Sequence, residues 1–305
     1  MLFRVTILGS SSALPTSERF PAAHLLNVNE RFYLIDCGEG TQMQLRRYRL
    51  RLGKIHHIFF SHRHGDHVFG IFGLLSSFSL LGREEPLHLY GPDKLEEIIL
   101  DHLKYFHDDL GFDLHFHRIQ CRRSALIYED KSVSVHSLPL IHRTQTCGFL
   151  FREKPKDRNI IKEKISEYNI PVRDIVKIKQ GADFIKPDGT RIPNDLLTLP
   201  PPAPRSYAYC SDTRQNKDLL PLLEGVDLLF HEATFAHADA SLAHETFHST
   251  ARQAAEVAAE AGAGKLLIGH FSSRYKDISL LEKEAREIFP DTTAVKDGDH
   301  FELEN

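Results

Sequence analysis

Short apolar runs separated by turn-forming residues recur along the whole chain. Runs that are rich in branched and aromatic residues and bounded by Gly, Pro, Asn or Asp predict β-strands. These predicted strands span residues 3–8, 23–28, 31–36, 55–61, 87–90, 132–138, 147–151, 206–210, 226–231 and 265–268. Segments between and after them predict helices over residues 40–52, 68–81, 93–106, 250–261 and 278–289. Because strands and helices are mixed throughout, we expect a layered fold that contains both.

Composition narrows the class of protein. The 305 residues are 41% hydrophobic, which is enough for a sizeable core. No run of about 18 uncharged apolar residues occurs and the first residues form a strand pattern, so we expect neither a membrane span nor a secretory signal. The four cysteines are scattered without a CxxC pair, which favours a reducing compartment, and we expect a cytoplasmic protein. A formal net charge of −4 argues against a uniformly basic nucleic-acid-binding surface.

One segment differs from the rest in charge. Residues 152–191 contain eleven Lys and Arg against seven Asp and Glu, and a proline run at 200–202 follows them. Prolines continue neither a helix nor a central strand, so we interpret residues 152–191 as an insertion within a single domain of residues 1–305. Composition alone favours a solvated excursion that has no partner.

The 19 histidines include a cluster at ligand spacing. His62 and His64 follow the apolar strand at 55–61, and residues two apart in an extended stretch point to the same side. Asp66 and His67 then lie on the turn into the next helix, where they face a second point nearby. This spacing predicts two adjacent metal sites, whose donors suit Zn²⁺ and also tolerate Mn²⁺ or Fe²⁺. A pH-sensitive surface loop is the alternative, and its position at the mouth of a buried strand disfavours it.

Three later residues fit the same site. His142, Asp212 and His270 each follow a predicted strand, at the end where sheet proteins of this kind collect active residues. Each of them alone is typical of a polar residue at a strand end. Together with the first cluster, they predict a shared centre.

These residues, with Asp36, resemble the five-motif signature of the metallo-β-lactamase superfamily. Within that superfamily the chain resembles the tRNase Z (ribonuclease Z) family of tRNA 3′-processing endonucleases. The segments that carry the closer resemblance lie at residues 8–16 (LGSSSALPT), 231–235 (HEATF), 248–251 (HSTA) and 270–275 (HFSSRY). The resemblance covers nearly the whole chain, in order.

The resemblance implies a fold, a cofactor and partners. The fold would be an α/β, metallo-β-lactamase-type αββα four-layer sandwich with a protruding basic arm. The cofactor would be two Zn²⁺ per chain, and the partners would be precursor tRNA and a second copy of the chain in a homodimer. One zinc would be held by His62, His64 and His142, the other by Asp66, His67 and His270, with Asp212 bridging the two. Asp36 would support the His62 loop.

The same resemblance implies a reaction. A hydroxide held on zinc would attack a phosphodiester and release the 3′ trailer, leaving a 3′-hydroxyl on the tRNA. Asp66 has a spare carboxylate oxygen for the attacking water, and His248, which enters the Ala-rich helix at 250–261, would protonate the leaving oxygen. Glu232 and Arg274 would support these groups or contact phosphate. The other histidines are interpreted as structural or surface residues, namely His56, His57, His88, His102, His107, His115, His117, His237 and His244.

Residues 152–191 occupy the interval where the family carries an arm that grips the tRNA elbow. The residues predicted to bind tRNA phosphates are Lys154, Lys156, Arg158, Arg173, Lys177 and Lys179. The chain departs from the family twice: residues 169–175 lack the Gly-Pro motif of the arm, and residues 15–20 lack the full loop with which some members reject mature CCA ends.

Two other functions compete with this one. A metallo-β-lactamase-fold hydrolase of a small ester, thioester or sulfate ester would need no arm and would ignore polyanions. A metal-binding or nucleic-acid-binding protein without turnover is disfavoured by the intact ligand set and the spare His248. Nucleases that insert a whole domain before the last ligand are disfavoured because only 58 positions separate Asp212 from His270.

Overall fold

A computed structural model of the chain describes residues 2–106 and 109–304, so His107 lies outside the described residues. The chain forms two compact units. Among the described residues, the larger unit combines 2–106, 109–152 and 205–304, and the smaller unit comprises 153–204.

The strands, in chain order, are β1 (Phe3–Gly9), β2 (Ala23–Val28), β3 (Arg31–Ile35), β4 (Ile55–Phe59), β5 (Leu87–Gly91), β6 (Leu114–Arg118), β7 (Ala125–Glu129), β8 (Val133–Pro139), β9 (Cys147–Glu153), β10 (Asn159–Ile160), β11 (Phe184–Ile185), β12 (Arg191–Ile192), β13 (Thr198–Leu199), β14 (Ser206–Cys210), β15 (Leu228–Glu232), β16 (Lys265–Gly269), β17 (Thr292–Ala294) and β18 (His300–Glu302). The helices are α1 (Thr41–Arg47), α2 (Gly65–Val68), α3 (Gly70–Leu80), α4 (Leu95–Phe106), α5 (Lys162–Glu167), α6 (Val172–Lys179), α7 (Asn194–Leu197), α8 (Leu220–Leu223), α9 (Ala240–Thr246), α10 (Ala251–Ala261) and α11 (Ser279–Arg286).

Two seven-stranded sheets form the larger unit. The first has the order β18-β1-β2-β3-β4-β5-β6, and the second has the order β17-β16-β15-β14-β9-β8-β7. Strands β3 to β6 run parallel, as do β14 to β17, whereas β1 pairs antiparallel with both β2 and β18. Both sheets are therefore mixed, and each has a parallel half in which successive strands end on the same side.

Three apolar clusters separate four layers. One cluster lies between the sheets and includes Phe59, Phe149, Tyr209 and Phe230. A second packs residues of α1, α3 and α4 against the outer face of the first sheet, and a third packs α8, α10 and α11 against the second. The larger unit is therefore the αββα sandwich that the resemblance implies.

Several predicted bounds were wrong. The helix predicted over 40–52 ends at Arg47, because Arg49 adopts a positive φ of 55° that an α-helix excludes. The helix predicted over 68–81 is two helices, α2 and α3, and it begins earlier, at Gly65. The missed elements include strands β7, β10 to β13, β17 and β18 and helices α5 to α9.

The smaller unit has a core of its own. Ile170, Ile178, Phe184, Ile192 and Leu197 are buried together there. Two short antiparallel pairs, β10 with β13 and β11 with β12, flank helices α5, α6 and α7. Among the described residues, no helix is long and apolar enough to cross a bilayer.

Candidate metal centre

The predicted ligands all follow strands of the larger unit. His62 and His64 lie in the loop after β4, and Asp66 and His67 lie in α2. From the second sheet, His142 follows β8, Asp212 follows β14 and His270 follows β16. The parallel strands end on the same side, so the fold brings these seven side chains together.

The first donor set consists of His62, His64, His142 and Asp212, whose ligand atoms lie within 4.8 Å of one another. The Nε2 atom of His62 is 3.0 Å from Nδ1 of His64. The Oδ2 atom of Asp212 is 3.5 Å from Nε2 of His62 and 3.6 Å from Nε2 of His142. These separations suit ligand atoms that share one cation with bonds of about 2 Å.

The second donor set consists of Asp66, His67 and His270. Oδ2 of Asp66 is 3.3 Å from Nε2 of His67 and 3.4 Å from Nε2 of His270. The same two nitrogens lie 3.4 and 3.2 Å from Oδ1 of Asp212. One oxygen of Asp212 therefore faces each donor set, which is the arrangement that a bridging carboxylate requires.

The second ring nitrogen of four of these histidines is held in place. Nδ1 of His67 bonds to Asp36 Oδ2 at 2.8 Å, and Nδ1 of His142 bonds to the carbonyl of Phe247 at 2.9 Å. Nδ1 of His62 and Nδ1 of His270 bond to the hydroxyls of Ser61 and Thr234, at 3.0 and 2.9 Å. Such bonds orient imidazole rings so that Nε2 presents a lone pair.

Three atoms that face the centre are buried without a hydrogen-bond partner: Nε2 of His67, Nε2 of His142 and Oδ1 of Asp212. A buried polar atom without a partner costs about 1–3 kcal/mol. Metal ions held by these atoms would remove that cost. The residues therefore fit the metal that the resemblance implies.

Electrostatics at the centre favour a cation. Burial alone raises the pKa of Asp212, but His270, His67 and His62 outweigh it and hold the pKa well below its usual range. Burial lowers the pKa of His67, but Asp66 and Asp212 outweigh it and raise that pKa well above its usual range. A proton on His67 thus occupies the position of a metal ion and must leave when a metal binds.

The loop after β3 lies in close backbone contact with the start of α3. A Cβ atom on Gly70 would lie 2.0 Å from the carbonyl oxygen of Gly38, so only glycine fits there.

Three residues at the centre, Asp36, Phe247 and His270, adopt positive φ angles of 55°, 63° and 61°. Strained backbone of this kind clusters at functional sites.

His248 stands beside the donor sets, and its ring is 5.0 Å from that of His142 and 5.6 Å from that of His270. Its Nδ1 lies 2.8 Å from Oε1 of Glu232, which is fully buried. Burial lowers the pKa of His248, but Glu232 and Asp212 outweigh it and raise the pKa to about 9. A charged His248 with its Nδ1 on Glu232 keeps Nε2 free to donate a proton.

Other predicted residues have different surroundings. Arg274 forms an ion pair with Asp239 at 3.5 Å and lies over the ring of Phe235. His231 is fully buried, and its Nδ1 bonds to the carbonyl of Glu232, so it belongs to the core.

Sequence reasoning missed four residues around the centre. Ser61, Thr234 and Tyr209 bond to ligands or to Asp36, and Phe247 contributes its carbonyl. Thr234 lies inside the segment 231–235 that carries the resemblance, and Ser61 directly precedes the ligand cluster at 62–67; these positions were the available signals for them. Tyr209 gave no signal, because it reads as a core residue of a buried strand.

Comparisons with known proteins identify the families to which the chain is similar. Residues 3–160 match the sequence profile of a family described as "Anti-Pycsar protein Apyc1". That stretch includes the ligand cluster at 62–67 and His142 but not Asp212 or His270.

Relatives match over nearly the full length. A ribonuclease Z of Bacteroides fragilis is 48% identical over 296 residues, which cover 97% of each chain. A ribonuclease Z of Porphyromonas gingivalis is 46% identical over 301 residues, which cover 99% of each chain. The resemblance that the sequence motifs indicate is therefore confirmed.

Solved structures agree on the fold. The short form of human tRNase Z superposes with a TM-score of 0.72 at 27% identity and covers 98% of both chains. A metallo-β-lactamase fold protein from Bacillus subtilis gives a TM-score of 0.70 at 21% identity, covering 99% of this chain and 100% of its own. The predicted fold class is thus confirmed.

Proposed function

The chain belongs to the ribonuclease Z family and, through residues 3–160, to the family described as anti-Pycsar protein Apyc1, and from this premise we propose that it is a zinc-dependent endoribonuclease. Its reaction removes the 3′ trailer from precursor tRNA and leaves a 3′-hydroxyl on the tRNA. The observation that supports this most is Asp212, whose two oxygens face two separate sets of histidine nitrogens.

Two ions would occupy these donor sets. His62, His64 and His142 would hold one, Asp66, His67 and His270 the other, and Asp212 both. When bound, the ions supply a water of lowered pKa and neutralise charge on the phosphate oxygens. An anionic phosphodiester needs that neutralisation more than a neutral ester does.

The chain's own residues would move the protons. The second carboxylate oxygen of Asp66 accepts a proton from the attacking water, whose oxygen forms the new bond to phosphorus. The bond from phosphorus to the O3′ atom of the tRNA breaks, and Nε2 of His248 protonates that oxygen. Glu232 holds Nδ1 of His248 at 2.8 Å and stabilises the charged ring. Arg274, 44% exposed, would contact substrate phosphate.

The rate should depend on pH through the Glu232–His248 pair. A pKa of His248 raised to about 9 means that the acid is protonated below this value and loses its proton above it. We therefore expect the cleavage rate to fall on the alkaline side, and Glu232→Gln to move that fall to lower pH, because the variant removes the charge that favours the protonated ring. Single-turnover rates between pH 6 and 10 measure the shift.

Glu245→Gln is the matched control, since Glu245 is exposed on α9 and its carboxylate accepts a hydrogen bond from the Ser241 hydroxyl. Its pH profile should overlay that of the unmodified protein. Identical alkaline limbs for Glu232→Gln and the control would remove His248 as the titrating acid.

We propose that the smaller unit is the tRNA-binding arm. It carries ten Lys and Arg against eight Asp and Glu, a weaker excess than that of residues 152–191 alone. Several of its basic residues are in ion pairs with acids of the same unit, including Lys156 with Glu153 and Arg158 with Asp195. On α6 the side chain of Arg173 is 85% exposed although it lies 3.9 Å from Asp174 Oδ2, and Lys177 is exposed one turn later. We expect this face of α6 to contact tRNA first, with Lys154 and Lys179 beside it.

Removing the arm should separate binding from chemistry. Strands β9 and β14 are antiparallel neighbours with Arg152 opposite Ser206, so a short Gly/Ser hairpin can replace residues 154–204. Hydrolysis of a small phosphodiester should persist, while precursor tRNA cleavage should fall mainly through weaker binding. The log-log salt slope of binding should become shallower by about 0.7 to 0.9 for each lost phosphate contact.

Point variants give this test its control. Arg173→Ala with Lys177→Ala should reproduce part of the loss, whereas Arg191→Ala, which removes a residue paired with Asp183, should do less. Equal tRNA affinity and equal salt slopes with and without the smaller unit would show that this unit is a solvated surface that does not bind tRNA.

We also propose a homodimer in the cytoplasm. Large apolar side chains are exposed on α1 (Met43), on α3 (Leu80) and next to the two ends of α3 (Phe69 and Leu81). Exposed apolar patches of this kind mark interaction surfaces. The four cysteines are all buried and unpaired, as in a reducing compartment. Light scattering at micromolar concentration distinguishes a dimer from a monomer.

The substrate distinguishes this proposal from its alternative. Zinc-loaded protein should cleave precursor tRNA with a 3′ trailer far faster than it hydrolyses a simple phosphodiester or a thioester. A metallo-β-lactamase-fold hydrolase of a small ester, thioester or sulfate ester would give the opposite ranking, with no cleavage of tRNA.

A further inference from the structure

A tyrosine hydroxyl links the two sheets behind the metal centre. Tyr209 lies on β14 of the second sheet and is almost completely buried. Its hydroxyl donates to Oδ2 of Asp36 at 2.8 Å, and Asp36 follows β3 of the first sheet. No motif in the sequence and no step of the proposed reaction uses this residue.

Asp36 is the hub of the bonds that orient ligands of the first sheet. Its Oδ1 accepts from the backbone N–H of Ser61 at 2.7 Å. Its Oδ2 accepts from the Ser61 hydroxyl at 2.8 Å, from Nδ1 of His67 at 2.8 Å and from Tyr209. Asp36 is fully buried, so water does not replace a missing donor there. Ser61 in turn holds Nδ1 of His62 at 3.0 Å.

A short segment after β14 of the second sheet, together with Tyr209 on that strand, contacts Asp36 and Ser61. Tyr209 precedes Asp212 by three residues, and Ser211 between them places its hydroxyl 3.0 Å from that of Ser61. Ligands from the first sheet and the bridging Asp212 from the second must be spaced correctly for one carboxylate to serve both ions. Tyr209 and Ser211 join these two parts through side-chain contacts, and the backbone N–H of Cys147 on β9 also donates to the carbonyl of Ser61, at 3.0 Å.

We propose that Tyr209 is a positioning residue for the metal centre, a role that rests on the proposed binding of zinc. Its hydroxyl fixes the Asp36 carboxylate, and through it the ring of His67, relative to Asp212. Loss of the hydroxyl leaves Oδ2 with two donors in place of three and lets the carboxylate rotate. The ring of His67 then loses its fixed orientation, and the ion held with Asp66 and His270 binds more weakly.

Tyr209→Phe removes only the hydroxyl, and Tyr207→Phe is its matched control. Tyr207 lies on the same strand, is fully buried and also bonds through its hydroxyl, at 2.8 Å to Nδ1 of His24, which is not a predicted ligand. Both variants lose one buried phenol bond, so we expect similar decreases in melting temperature. Only Tyr209→Phe removes a bond to Asp36.

The measurement is zinc affinity by chelator competition, with cleavage followed at limiting and at saturating zinc. We expect Tyr209→Phe to bind the zinc held by Asp66, His67 and His270 about 10- to 100-fold less tightly, which is the usual cost of losing a partner behind a metal ligand. Its cleavage rate should recover as zinc is raised to saturation, whereas Tyr207→Phe should match the unmodified protein at both concentrations. Equal zinc affinity in the two variants would overturn the proposal.

This outcome is separate from failure of the proposed function. An unmodified protein that binds zinc but leaves precursor tRNA intact would overturn the reaction, and the affinity comparison would still decide the role of Tyr209. An unmodified protein without zinc affinity would overturn both.

Discussion

Asp212→Ala is expected to lose metal and cleavage activity together. The two oxygens of Asp212 lie 3.2 to 3.6 Å from nitrogens of four histidines, so the variant removes a donor from both sets at once. Loss of a partner behind a ligand typically costs about 10- to 100-fold in metal affinity or activity, and loss of a shared ligand should exceed that range. We expect one or no zinc per chain and a decrease in cleavage of more than about 100-fold.

Metal analysis of the purified variant, beside single-turnover cleavage of precursor tRNA, measures both effects. Asp218→Ala is the control, because Asp218 is exposed six residues further along the chain. It should keep two zinc ions and full activity. Asp212→Ala with unchanged metal content would show that Asp212 is not shared between ions.

His248→Ala is expected to separate the two properties. His248 offers a nitrogen within 4.8 Å of ligand atoms of Asp212 and His270, but its Nδ1 is bonded to Glu232 at 2.8 Å, and we assign it the role of acid and not of ligand. The variant should keep both zinc ions and lose about 10²- to 10⁴-fold in rate, the usual contribution of a general acid. At high pH the difference from the unmodified protein should narrow, because there His248 is already deprotonated.

His244→Ala is the control for this variant, since His244 is exposed on α9 four residues before His248. Its rate and zinc content should equal those of the unmodified protein. Loss of zinc from His248→Ala would make His248 a ligand and would remove its role as the acid.

The sequence predicted most long strands and the candidate ligand cluster because their signals are local. Runs such as 23–28 and 206–210 are rich in branched or aromatic residues, and the strands found there have the predicted bounds. Spacing alone placed His62 and His64 at one point and His67 at another, as the structure has them. Local residue patterns are therefore enough to predict these core strands and the positions of the histidines in the loop after β4.

The missed features depend on contacts between distant parts of the chain. Strand β18 has three residues, and it pairs with β1 at the edge of the first sheet, where Phe301 lies opposite Val5. Tyr209 looks like an ordinary core residue until the fold brings its hydroxyl to Asp36, 173 positions away. A polar bond between two sheets leaves no periodic pattern in either strand, so no local rule reveals it.

The end groups of the cleaved tRNA show most directly whether the protein is a zinc-dependent endonuclease that removes the 3′ trailer. Precursor tRNA with a 3′ trailer is incubated with chelator-stripped protein, with zinc-restored protein and with zinc-restored His248→Ala, and both product ends are mapped. We expect one endonucleolytic cut in the zinc-restored protein only, with a 3′-hydroxyl on the tRNA and a 5′-phosphate on the trailer. Intact precursor in that sample, or cleavage that persists after the metal is stripped, would contradict it.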